Sequence, residues 1–128
     1  MSQGIHESFN VLTTLAAYRI VSIDTSAANT VVYPPSTLRP MIGVTADTVR
    51  DTTSAIPVII AGKAKLLFND TVSAGGLVSS DTSGRGIGIG TLVTTGTNYI
   101  GVALNTVSNS TTIHDILVQP GSVNIEVP

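Results

Sequence analysis

The chain contains no cysteine, no tryptophan and little charge. Without cysteine it can form no disulfide, cysteine-ligated zinc site, iron–sulfur cluster or thiol nucleophile. Charged residues make up 11% of the 128, against roughly a quarter in an ordinary soluble domain. The six cations, Arg19, Arg39, Arg50, Lys63, Lys65 and Arg85, form no cluster that could neutralise a run of phosphates, so nucleic acid is not an expected partner. The longest apolar run, about residues 58–61, is far shorter than the roughly 20 residues of a helical membrane span, and no membrane partner is expected. Residues 1–10 lack a basic stretch followed by an apolar one, so no signal peptide is expected.

What the chain does have is β-branched residues. It carries 15 Val, 13 Ile and 18 Thr. Such side chains lose rotamer freedom in a helix and pack well on a pleated sheet. Short strand-like runs at 18–24, 30–33, 41–46, 56–60, 64–68, 76–79, 87–93, 98–104, 112–118 and 123–127 alternate with turn residues such as Ser26-Ala27-Ala28-Asn29, Pro34-Pro35-Ser36, Asn69-Asp70 and Pro120-Gly121. Runs of this length and spacing predict an all-β fold, a small barrel or sandwich. A mass of 13.1 kDa fits one domain. The one helix candidate is residues 10–17, with Asn10 as cap.

A faint internal repeat runs through the chain. Val21-Ser22-Ile23-Asp24-Thr25-Ser26 returns as Val78-Ser79-Ser80-Asp81-Thr82-Ser83, and Ile42-Gly43-Val44 returns as Ile100-Gly101-Val102. The blocks keep their order at shifts of 57 and 58 residues. Two similar β-units, about 18–68 and 75–127, are therefore expected to share one core. Residues 1–17 fall outside the repeat and read as an N-terminal arm ahead of a β domain at 18–128.

No constellation for chemistry stands out. His6 and His114 are far apart, and Asp115 beside His114 would point to the opposite face of a strand. Asp24, Asp51, Asp70 and Asp81 stand in turn contexts, where a carboxylate accepts backbone N–H bonds. Asp47 and Asp51 have neither the number nor the spacing of calcium ligands. The tract Gly84-Arg85-Gly86-Ile87-Gly88-Ile89-Gly90 contains no G-x-G-x-x-G and no G-K-[ST]. No metal, cofactor or catalytic residue is therefore expected, and the protein is expected not to be an enzyme. If that tract is extended, its glycines share one face and leave room for a close approach. Gly86 and Gly88 are thus candidate subunit contacts, the alternative being a loop or bulged strand. In the arm, Ile5, Phe9, Val11, Leu12 and Leu15 are candidate contacts with a neighbouring subunit or another partner protein. Each large side chain buried there would contribute roughly 1.5–3 kcal/mol. An arm that tucks against its own barrel would use the same residues.

One progression carries a resemblance. Ala17-Tyr18-Arg19-Ile20-Val21, Asp24, Met41-Ile42-Gly43-Val44, Pro57-Val58 with Gly62, Gly75-Gly76-Leu77-Val78-Ser79-Ser80-Asp81 and Tyr99-Ile100-Gly101-Val102-Ala103-Leu104 together resemble the small capsid cement, or head decoration, proteins of tailed bacteriophages. The likeness covers about residues 16–118, and its motifs are short. The tract 84–90 departs from the family, which more often has polar residues or alanine there. The resemblance implies a compact β-barrel-like domain on the outer face of an assembled capsid. Its implied partners are the major capsid protein and, as a homotrimer, other copies of itself. A β-sandwich recognition module of a phage tail, fibre or adhesin, binding cell-surface glycan, is the alternative.

With so few charges, capsid contact would rest on apolar burial, backbone pairing at strand edges and Thr/Ser hydrogen bonds. Binding to capsids is accordingly expected to change little between low and moderate salt in a pelleting assay. A steep loss over that range would contradict it.

Overall fold

The computed structural model describes residues 5–11, 15–37, 39–46, 55–89, 97–109 and 111–123. Among these residues nine strands run in chain order: β1 (Ile5–Val11), β2 (Ile20–Ile23), β3 (Thr30–Val32), β4 (Met41–Thr45), β5 (Ile56–Phe68), β6 (Leu77–Ser80), β7 (Gly86–Gly88), β8 (Asn98–Ala103) and β9 (Thr112–Ser122). The all-β expectation holds, and most strands lie where the β-branched runs put them. Two runs, 56–60 and 64–68, fuse through Ala61-Gly62-Lys63 into the 13-residue β5. The helix expected at 10–17 is not formed at its start, since Asn10 and Val11 belong to β1 and pair with Thr30 and Val31; residues 12–14 lie outside the described residues. The strand expected at 123–127 lies outside them too, except for Val123.

The strands close two five-membered rings. In the first, β1 pairs parallel with β3, β3 with β2, β2 with β4, β4 with β5, and β5 back with β1. In the second, β5 pairs parallel with β7, β7 with β6, β6 with β8, β8 with β9, and β9 back with β5. Residues 56–61 of β5 serve the first ring and residues 62–68 the second. Closing a sheet on itself removes the free edges that a flat sheet would expose.

The rings repeat each other residue by residue. Ile20 faces Val44 and Val44 faces Ile59 in the first; Leu77 faces Val102 and Val102 faces Leu117 in the second. His6 faces Ile59 as Lys63 faces Leu117, and Val11 faces Val31 as Phe68 faces Gly86. The repeat therefore begins at β1. Residues 5–11, set apart as an arm from the sequence, take the place in the first ring that residues 62–68 take in the second. Loop geometry repeats as well. Tyr18 and its counterpart Gly75 have φ of 62° and 85°, and Asn29 and its counterpart Gly84 have φ of 54° and 78°.

One difference joins the rings. In the first, the Asn10 N–H donates to the Asn29 carbonyl at 2.8 Å. Their counterparts, Leu67 and Gly84, bond instead to the start of β2. The Leu67 N–H donates to the Tyr18 carbonyl at 2.9 Å, and the Ile20 N–H to the Gly84 carbonyl at 2.7 Å. Residues 18–20 are thus wedged into the seam of the second ring. Ile20, Val44 and Ile59 accordingly share one core cluster with Leu66, Phe68, Val78, Ile100 and Ile116. Val11, Leu15, Val21, Val31, Ile56 and Val58 form the other cluster, inside the first ring.

Close backbone approach requires glycine at the same address twice. A Cβ on Gly43 would collide with the Ile59 carbonyl oxygen, and one on Gly101 with the Leu117 carbonyl oxygen. Neither oxygen can swing away, because each belongs to a paired strand. Gly101→Ala should therefore cost about 1–3 kcal/mol, the usual penalty of overpacking, read as a lower urea midpoint at unchanged slope. An unaltered midpoint would mean that β8 and β9 can separate freely.

Candidate functional site: the outer wall of the second ring

Residues directly opposite each other on paired strands point to the same face. Across the second ring this places Lys63 of β5, Leu117 of β9, Val102 of β8 and Leu77 of β6 in one outward row. Beside it run Lys65 with Asp115, and Leu67 with Ile113. Leu104 adjoins them, its N–H donating to the Asp115 carbonyl at 3.1 Å. Leu77, Leu104, Ile113 and Leu117 are 37, 42, 47 and 38% exposed. Only Ile5 and Ile23 join them as exposed large hydrophobics among the described residues.

The wall matters because its twin is buried. At the counterpart positions of the first ring, Ile20 and Val44 are fully buried and Ile59 nearly so. That face packs into the second ring's core, whereas the same face of the second ring is open. Its charges are few and mutually paired. Asp115 accepts from Lys65 at 3.5 Å and lies 4.0 Å from Lys63. Exposed pairs of this kind contribute well under 1 kcal/mol each, so burial of leucine and isoleucine would dominate any docking here.

The residues singled out from sequence are dispersed. Val11 and Leu15 are buried inside the first ring, so as core residues they are withdrawn as contacts. Phe9 is half-buried against the same cluster. Ile5 is 60% exposed and remains accessible; Leu12 lies outside the described residues. Gly86 is also corrected: it is buried, and a Cβ there would meet the Leu66 and Phe68 side chains. Gly88 borders a groove together with Val72, Ser73 and Leu77. The outer wall itself was missed, because β9 is apolar on both faces. Ile113 and Leu117 point out while Ile116 and Val118 point in.

Among the described residues, His114, Asp115, Asp81 and Asp24 have structural partners. The His114 ring meets Phe68 edge-on at 6.1 Å and its Nε2 lies 3.1 Å from Thr112 Oγ1. Asp115, next in sequence, faces the lysines on the other side. Asp81 organises a turn: its Oδ1 accepts from the Ser83 and Arg85 N–H groups, both at 2.9 Å, and its Oδ2 from Arg85 Nε at 2.9 Å. Asp24, its counterpart, accepts the Ser26 N–H and hydroxyl, both at 2.7 Å. Asp47 and Asp51 lie outside the described residues.

No protein-family model matches the chain, and no curated protein sequence matches it. Its fold is similar to the crystal structure of the head fiber gp8.5 N base in bacteriophage phi29, with a TM-score of 0.67 and 8% sequence identity. The alignment covers 90% of this chain and 93% of that one. At that identity the likeness is one of fold.

The Ser26 backbone N–H, then its hydroxyl, hold the Asp24 carboxyl below its ordinary value of 3.8. A lowered carboxylate pKa stabilises the fold above the unfolded value and loses that contribution as pH falls through the folded one. An NMR titration should therefore find Asp24 titrating below 3.8, and Ser26→Ala, which removes the hydroxyl, should raise it part of the way back. A titration at or above the ordinary value would contradict the turn geometry.

Proposed function

We propose that this protein is a non-enzymatic structural component of a tailed-phage head, binding the outer surface of the assembled shell and stabilising it. The observation that carries this reading is the fold shared over nine-tenths of the chain with a protein whose name describes the base of a phage head fiber. The motif resemblance to capsid cement proteins supports it from the sequence side. The partners in this reading are the major capsid protein and other copies of the chain, as a homotrimer. The protein exposes 6821 Å² of accessible surface. A standard interface takes about 800 Å² from each partner, so one copy has surface for both contacts.

The open wall of the second ring is the surface proposed to meet the shell. Leu77, Leu104, Ile113 and Leu117 offer apolar area in a fixed arrangement, held by ladder hydrogen bonds beneath them. Little ordering cost is then incurred on docking. Many such contacts around one shell cross-link neighbouring capsomers, and avidity within a trimer strengthens each.

Co-sedimentation with purified heads tests the reading. The wild-type protein should pellet with heads and sediment alone as a trimer. Leu117→Lys and Ile113→Lys, both at exposed positions, should keep the melting temperature and weaken pelleting about tenfold each, as for central interface side chains. Failure of the wild-type protein to pellet, together with a positive glycan array, would favour the recognition-module alternative.

A further inference from the structure

The internal repeat allows each cavity in one ring to be compared with its counterpart in the other. In the first ring, Tyr33 follows β3 and packs its ring against the ring's core cluster. Its hydroxyl accepts the Ala16 N–H at 2.7 Å. Its ring also approaches Gly84 of the second ring so closely that a Cβ on Gly84 would meet Cδ1 at 2.8 Å. Tyr33 therefore fills the space between residues 15–20 and the end of β3, and the second ring covers it from outside.

The counterpart of Tyr33 is Gly88, as the pairings Ser22 with Val32 and Ser79 with Ile87 establish. With no side chain at Gly88, the second ring has an open groove of about 610 Å³ at the same address. Four of its lining residues hold positions equivalent to residues 15, 16, 19 and 20 beside Tyr33. Val72 stands for Leu15, Ser73 for Ala16, Gly76 for Arg19 and Leu77 for Ile20. The volume lies within the range of ligand clefts, roughly 300–1,000 Å³. Asp70 shapes one rim, its Oδ2 accepting the Gly88 N–H at 3.2 Å and its Oδ1 the Thr71 N–H at 2.8 Å. Leu77 belongs both to this groove and to the apolar outer row.

We propose that the groove beside Gly88 receives a tyrosine side chain from the protein on which the outer wall docks. The phenol ring lies over Val72 and Leu77, and its hydroxyl accepts the Ser73 N–H, as the Tyr33 hydroxyl accepts that of Ala16. The fold thus supplies from a partner the aromatic group that the first ring supplies from itself. An aromatic anchor in a pocket next to an apolar surface is a common form of interface hot spot. The inference rests on the docking reading for the source of the tyrosine, while the phenol specificity rests on the comparison of the two rings.

The test uses the isolated, isotope-labelled protein and two probes, N-acetyl-tyrosinamide and N-acetyl-leucinamide, followed by amide NMR. The tyrosine probe should give saturable shifts at Val72, Ser73, Leu77 and Gly88, and the leucine probe should bind at least about fivefold more weakly, having no ring or hydroxyl to match. Gly88→Tyr, which places a phenol of the chain's own in the groove, should abolish the shifts and raise the melting temperature. Absence of saturable shifts in the wild-type protein, or equal binding of both probes, overturns the proposal whether or not the variant folds. Because heads take no part in these titrations, their outcome is separate from that of the pelleting assay. Saturable tyrosine binding without pelleting would remove the docking reading and the proposed source of the tyrosine, leaving only a phenol site.

Discussion

The architecture depends on one strand serving two rings. A strand has two edges, so it can complete two closed sheets only in succession along its length. Strand β5 does this in 13 residues. Its first half bonds to β1 and β4, and its second to β9 and β7. The change of partners falls at Gly62, whose φ of 93° is in the region that favours glycine. Beyond it Ala64, Leu66 and Phe68 alternate into the second ring's core. A flexible linker between the rings would add conformational freedom that folding must overcome; a continuous ladder adds none.

The wedge at residues 18–20 makes the two halves unequal. It occupies a seam of the second ring and carries Ile20 into that ring's core, with Val44 and Ile59 in the same cluster. The face of the first ring is buried as a result, and the matching face of the second is left to solvent. Sequence differences follow the asymmetry. The first ring has Tyr33 where the second has Gly88, and the second has the charged pair Lys65 and Asp115 where the first has Ser8 and Pro57. If the wall docks as proposed, the second set of residues would flank it with charges that oppose unspecific stacking of such surfaces.

Much of this was legible from residue order. Turn residues and β-branched runs located the strands because closed small sheets are built from short segments with punctuated ends. The repeat was visible from 18 onward, where Ile42-Gly43-Val44 and Ile100-Gly101-Val102 keep the glycine that close strand approach demands. It was not visible at β1. Ile5–Val11 and residues 62–68 share alternation but almost no residue types, and what they have in common is pairing register. Tyr18 with Gly75 and Asn29 with Gly84 likewise share a backbone conformation and no side chain. The helix expected at 10–17 yielded to the parallel pairing with β3, a tertiary contact that local propensity does not report. The outer wall was hidden for another reason: with isoleucine and leucine on one face of β9 and isoleucine and valine on the other, hydrophobicity cannot say which face turns inward.

Ring closure also narrows how the protein can bind. Edge-to-edge strand pairing, an expected mode for a chain so poor in charge, needs unpaired N–H and C=O groups along a strand. Here β9, in the middle of the wall, is laddered to β5 on one side and to β8 on the other, and the side of β5 away from β9 is taken by its one pair with β7 and by residues 18–20. Association at this wall is then left to side chains. Thr and Ser hydroxyls add little at that wall, because Leu77, Val102, Leu104, Ile113 and Leu117 occupy it. Binding energy would come from apolar area removed from water, which is non-directional, and specificity from shape, namely the groove that opens beside Leu77 at one margin of the wall.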